Sequence, residues 1–180
     1  MNVYLPSDRH QSAWLTRYLS NSRESAYVRV GRNAVPDIYT EDDHFEPGKA
    51  RILKSGKDIA LIATGETVYH ALKAAESLES GGILPTVIDM FTLKPLDEKA
   101  VIKAAKDTRC ILTVEEHSIY GGLGAAVAEV IAQHHPIRMK ILGIPDENAV
   151  HGKPMEIFAH YGLDSKGIYH QALALLSPVI

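Results

Sequence analysis

Two stretches of this chain, 59–63 (IALIA) and 110–114 (CILTV), are essentially apolar runs bounded by polar turns. Runs of that length mark strands buried on both faces of a mainly parallel sheet. Helical periodicity separates and follows them. Thr64-Gly65-Glu66-Thr67 turns into a helix that ends at Gly81-Gly82, a strand follows at 86–89, and Pro95-Leu96-Asp97 starts a helix reaching Lys106. The run 110–114 ends in Glu115-Glu116-His117, passes through Gly121-Gly122-Leu123-Gly124 and opens into a helix over 125–133. A fourth strand is expected at 139–143 and a short helix at 153–161, closed by Gly162. Asp164 caps a last helix carrying Ile168, Ala172, Leu173 and Leu176. Strand alternating with helix at this spacing predicts an open α/β sheet covered on both faces.

The front of the chain follows a different rhythm. Residues 2–5 read as a strand, Pro6-Ser7-Asp8 ends it, and Ser7 or Asp8 caps a helix over 9–19 with Trp14, Leu15, Tyr18 and Leu19 on one face. Residues 26–30 form a second strand, interrupted by Arg29. Two parallel strands and one helix cannot bury both faces of a sheet. The unit therefore either joins the later sheet or is the broken end of a larger domain. Residues 33–57, with Pro36, Pro47, Gly48, Ser55, Gly56 and the acidic Glu41-Asp42-Asp43, read as a linker carrying a short strand at 50–54.

Composition narrows the picture by exclusion. With 180 residues, 46% apolar and 23% charged, this is an ordinary globular chain with one domain, or one domain and an appendage. Net charge is -3 and no basic block occurs, which gives no hint of nucleic acid or an anionic membrane as partner. There is no transmembrane run and no signal-peptide pattern, so the expected location is cytoplasmic. The single cysteine, Cys110, sits mid-strand and reads as a small buried hydrophobe.

Candidate chemistry is sparse. Gly121-Gly122-Leu123-Gly124 at a strand-to-helix turn invites a nucleotide reading, but a dinucleotide fingerprint would need glycine where Val127 stands. A tight turn needing positive φ accounts for it better. His117 follows two glutamates and is a candidate ligand or interface contact with Glu116; the alternative is a bond to the loop backbone. The other histidines lack metal-ligand spacing. Arg29 and Arg32 bracket a strand end and form a possible anion clamp, because guanidinium offers planar paired donors to phosphate oxygens. A salt bridge from Arg32 to Asp37 or to the acidic linker is an equal alternative. No nucleophile elbow, P-loop, HExxH or cysteine pair occurs. The residues by themselves describe an α/β module with an incomplete front end and no self-sufficient active site.

Taken together and in order, AYVRVGRN (26–33), DIALIATGE (58–66), DMFTLKPLD (89–97), ILTVEEH (111–117) with GGLG (121–124), and GKP (152–154) before YGLD (161–164) resemble the C-terminal part of transketolase. Parts of the pattern are shared by deoxyxylulose-phosphate synthase and by the beta subunits of 2-oxo acid dehydrogenases; the GKP and GLD strings favour transketolase. The resemblance implies residues 1–40 as the tail of a pyrimidine-binding domain, 41–57 as linker and 58–180 as the transketolase C-terminal domain. It implies a three-layer α/β/α sandwich with a mostly parallel, mixed sheet of about five strands, one antiparallel, the fifth strand lying near 50–54. The front βαβ piece would be incomplete. The implied activity is transfer of two-carbon ketol units between sugar phosphates, with thiamine diphosphate and magnesium in the full-length enzyme.

The family's activating glutamate and metal motif have no counterpart here, so the isolated chain is expected to be inactive and to hold no cofactor. Arg32 matches the arginine with which transketolase grips the sugar phosphate, and Arg29 is a weaker candidate. Expected partners are upstream N-terminal and pyrimidine domains or a separate subunit, and a second copy in a homodimer, with Ile119, Tyr120 and Leu123 as an apolar turn lacking an internal partner. A nucleotide-binding module using the Gly121 turn, and a pure interaction domain pairing through edges at 87–96 and 119–123, are the alternatives from other classes.

Overall fold

The computed structural model describes residues 1–32, 34–148 and 150–177. Its larger part is a five-stranded sheet in the order β3-β5-β4-β7-β8, formed by β3 (Arg51–Lys54), β4 (Ile59–Ala63), β5 (Pro85–Asp89), β7 (Ile111–Ser118) and β8 (Met139–Ile144). β4, β5, β7 and β8 run parallel, and β3 lies antiparallel on β5 as the edge. All five residues of β4 and of β5 are buried, as apolar strands between two helical layers must be.

Crossover handedness sorts the helices. The chain moves from β4 through α2 (Thr67–Ser80) to β5 on one side, then through α3 (Glu98–Asp107) to β7 on the other. A right-handed crossover in opposite directions puts successive helices on opposite faces. Accordingly Ile59, Leu61 and Ala63 pack against α2 and α6 (Ser165–Leu176), with Phe158 of α5 (Pro154–Tyr161). Ala60 and Ile62 pack against α3 and α4 (Leu123–His134). The result is the expected three-layer α/β/α sandwich with a mixed sheet.

The front piece does not join that sheet. β1 (Asn2–Tyr4) pairs in parallel with β2 (Ala26–Val28) and antiparallel with β6 (Thr92–Lys94), a strand absent from the sequence reading. β6 begins three residues past the end of β5, so one continuous segment leaves the large sheet and enters the small one. Asp8 caps α1 (Arg9–Ser20) by accepting from Gln11 N–H at 2.8 Å. Tyr4, Leu15, Tyr39, Phe45 and Phe91 form an aromatic core between the two sheets. Trp14 meets Phe45 and Phe91 edge-on at 5.4 and 6.2 Å.

Other elements differ from expectation in extent. β7 runs to Ser118 rather than stopping at Val114, because β8 stays alongside it beyond an irregularity: Ser118 pairs with Ile144, and Ile119 N–H donates to Ile144 O at 3.0 Å. β2 stops at Val28, although Arg29 N–H still reaches Tyr4 O at 3.0 Å. Residues 85–89 are interior, between β3 and β4, and offer no edge to a partner. Leu123 is fully buried, so of the proposed apolar turn only Tyr120, at 67% exposure, stands out in solvent. No helix among the described residues is long and apolar enough to cross a membrane.

Candidate functional site

In an open α/β sheet the natural ligand crevice lies beyond the carboxyl ends of the strands, where the chain's direction of winding reverses. Here β4 has β5 on one side and β7 on the other, so the crevice lies between the ends of β4 and β7. Two groups meet there: the turn Thr64-Gly65-Glu66, and Glu115-Glu116 of β7. Thr67 Oγ1 donates to Val114 O at 2.9 Å and ties the start of α2 to β7.

Helix α4 also begins beside this crevice, and its N-terminus is already satisfied. The buried Glu115 carboxylate accepts from Leu123 N–H and Gly124 N–H, each at 2.8 Å. A carboxylate aimed at free helix N–H groups does what a bound phosphate would do. The glycines fit the same purpose: Gly121 has φ 71°, a side chain on Gly122 would run into Glu115, and one on Gly124 would run into Ile141. The turn is therefore built around an internal anion. Among the described residues no group of three or more His, Cys, Asp and Glu stands together to hold a metal ion. These residues do not fit a diphosphate with its metal.

The front segment fills the crevice instead. Gly65 N–H donates to Leu5 O at 3.2 Å. Arg29 Nη2 donates to Glu116 Oε2 at 3.2 Å, both side chains being about one-third exposed. The Glu66 carboxylate lies in the space that a side chain on Gly31 would take. Burial raises the pKa of Glu66, the charge of Glu116 adds to this, and Arg29 opposes it. A cavity of about 370 Å³ opens next to this contact, between the 6–12 turn and the loop through Gly31 and Ala34, with Glu66 in its wall.

The predicted site residues separate clearly. Arg29 and Glu116 are brought together, 87 positions apart in sequence, and neutralise one another. Arg32 is exposed, and no ion pair or hydrogen bond engages its side chain among the described residues. Two of the acidic alternatives are taken: Asp37 binds Arg9 through both oxygens at 2.7–3.0 Å, which lowers its pKa, and Asp43 binds Arg51 at 2.9 Å. His117 is exposed with Nδ1 3.2 Å from Ser118 O, and neither glutamate orients it. His70, by contrast, is packed on Phe158, and burial lowers its pKa.

A second polar cluster escaped the sequence reading. Asp89, fully buried at the end of β5, accepts at Oδ2 from Ser7 Oγ (2.7 Å), Tyr39 OH (2.7 Å) and Gln11 Nε2 (3.0 Å). Its Oδ1 meets no donor among the described residues. Burial pushes the Asp89 carboxyl up to about 6, against the pull of those three bonds. Asp8 completes the joint by accepting from Ile38 N–H and Tyr39 N–H at 2.9 and 2.8 Å. Asp89 and Asp8 are the acids that fasten the front segment to the large sheet.

The structure is thus a three-layer sandwich whose ligand crevice is occupied by a strand-end loop, and that loop carries an exposed arginine, Arg32, with no ion pair among the described residues. The chain belongs to the family described as transketolase, C-terminal domain, whose profile matches residues 48–168. It is 52% identical over 174 residues to the B-type subunit of the apulose-4-phosphate transketolase of Phocaeicola vulgatus, covering 96% of this chain and 55% of that protein. It is 42% identical to 1-deoxy-D-xylulose-5-phosphate synthase 1 of Geobacter sulfurreducens, over 98% of this chain and 28% of that protein. A solved structure described as a split gene transketolase, inactive beta4 tetramer, superposes with TM-score 0.93 at 36% identity, over 98% of this chain and 58% of that one. The chain spans about half the length of the transketolase subunits it matches.

Proposed function

We propose that this chain is the C-terminal portion of a B-type subunit of a split transketolase, working with a separate diphosphate-binding subunit to move two-carbon ketol units between sugar phosphates. The observation that carries this reading is Arg32. Arg29 is held by Glu116, Asp37 by Arg9 and Asp43 by Arg51, whereas Arg32, exposed on the loop beyond β2, meets no acid among the described residues and is available to an incoming anion. A planar fork of donors suits a phosphate monoester and fixes its orientation as well as its charge. Arg32 would hold the phosphate end of the sugar, so that the carbonyl end lies in chemistry supplied by thiamine diphosphate on residues outside this chain. The 52% identity to an apulose-4-phosphate transketolase subunit favours a phosphorylated ketose as donor over the synthase reading, supported at 42%.

The experiment is reconstitution. The full-length B-type subunit, mixed with its A-type partner, thiamine diphosphate and magnesium, should transfer a two-carbon unit from a ketose phosphate to an aldose phosphate, with neither subunit active alone. Release of carbon dioxide from pyruvate by the same mixture, with no ketol transfer, would replace this reading by that of a deoxyxylulose-phosphate synthase.

A further inference from the structure

The crevice between β4 and β7 raises a question that the proposed function leaves open: why the C-terminal domain, which carries no fitting cofactor site, should place two carboxylates there. The Glu66 carboxylate lies against Gly31, the residue immediately before Arg32, in the space that a side chain there would take. The Glu116 carboxylate holds Arg29, three residues before Arg32, at 3.2 Å. Gly65, beside Glu66, is bonded through its N–H to Leu5 of the neighbouring strand end. The loop that presents Arg32 is thus fixed on its C-terminal-domain side at Gly31 and at Arg29, and open to the cavity on its other side.

We propose that Glu66, assisted by Glu116, is a positioning residue for Arg32: the C-terminal domain uses its ligand crevice as a seat that sets the height and direction of the phosphate-binding guanidinium. This rests on the reading of Arg32 as the group that holds the substrate phosphate. Two features distinguish it from ordinary packing. The Glu66 side chain makes no hydrogen bond among the described residues, so it is not a capping or ion-pairing residue in its own right. The contact is one of packing, made by the Glu66 side chain to the backbone of Gly31, and a displacement of that backbone is transmitted directly to the next residue. A supporting group that locates a binding side chain acts on the bound geometry of the substrate rather than on the reacting atoms.

The test uses the reconstituted two-subunit enzyme and compares kcat/KM for a ketose phosphate with kcat/KM for the same ketose lacking phosphate. Glu66→Ala should lower that ratio roughly tenfold, chiefly through KM for the phosphorylated substrate, within the range that a small displacement of a binding group produces. Glu66→Gln, which keeps the shape against Gly31, should stay within about threefold of the parent. In an Arg32→Ala background Glu66→Ala should add nothing to the ratio, because residues acting through one another are not additive. If Arg32→Ala lowers the ratio and Glu66→Ala does not, the positioning role is wrong while the phosphate role of Arg32 stands. An equal loss on both substrates with Glu66→Ala would also overturn it, making Glu66 a general packing residue. If Arg32→Ala itself leaves the ratio unchanged, both readings fall.

Discussion

The two sheets of this molecule are finished to different degrees. In the five-stranded unit, helices cover both faces, the buried strands are mostly apolar, and two N–H groups of the α4 terminus are satisfied by the unit's own Glu115. In the three-stranded front unit one face rests on the aromatic cluster, while β2 and the segment just after it present Tyr27, Val28 and Val30 to solvent at 52%, 38% and 60%. Beside that edge the side chains of Leu15, Leu19 and Val30 line a groove of about 390 Å³. The unit that is complete has its ligand crevice filled. The unit that is unfinished carries Arg32, which has no ion pair among the described residues. In this chain the proposed phosphate-binding residue sits where packing is incomplete.

Breaking the self-sufficiency of the large unit should have the largest effect. Glu115→Ala leaves two buried N–H groups of α4 without an acceptor and removes the anion from its N-terminus, which should cost about 3 kcal/mol in chemical denaturation. A variant as stable as the parent would mean that the glycine turn does not depend on that carboxylate.

The joint between the units should respond to pH. Folded Asp89 keeps its proton up to about pH 6, whereas its ordinary value is 3.8. The native state therefore binds more protons across that interval, and stability falls as pH rises from 4 through 6, by at most roughly 3 kcal/mol. Asp37, whose carboxyl Arg9 holds low, contributes the opposite slope at more acid pH, but it is exposed and its share is small. Subtracting an Asp89→Asn variant isolates the joint: the parent should gain on the variant as pH drops from 7 to 4. A difference independent of pH would show that Asp89 does not titrate in that range.

The smallest change belongs to the open edge. Val30→Ser should alter the stability of this chain by no more than about 0.5 kcal/mol, because the side chain is already in water. In a full-length subunit, if the rest of a pyrimidine-binding domain packs on β2, the same change should cost about 1–2 kcal/mol. Equal effects in the two contexts would mean that β2 is a true edge.

Local patterns carried much of this architecture. The runs at 59–63 and 110–114, the Asp8 cap and the positive φ of Gly121 all depend on neighbouring residues, and all are readable in order along the chain. The short strand at 50–54 is readable in its own pattern, and its antiparallel place as the fifth strand follows from the family resemblance. What stayed hidden depends on distant partners. β6 has three residues and pairs with a strand nearly ninety positions earlier. Glu115 looks like a polar strand end until the helix start folds back over it, and Asp89 looks like the close of β5 until Ser7, Gln11 and Tyr39 converge on it. The family resemblance ranks Arg32 above Arg29, but the ion pair that engages Arg29 with Glu116 is visible only in three dimensions.

The central claim is that Arg32 reads the phosphate of the substrate, and it is tested most directly by a ratio. In the reconstituted enzyme, Arg32→Ala should lower kcat/KM for a phosphorylated sugar by roughly 30- to 150-fold, the equivalent of about 2–3 kcal/mol for a charge-assisted bidentate contact. Arg32→Lys should recover only part of it, since a point charge cannot reproduce the planar fork. The loss should be confined to phosphorylated sugars. An equal fall on phosphorylated and unphosphorylated sugars would contradict the account and make Arg32 a residue of the fold.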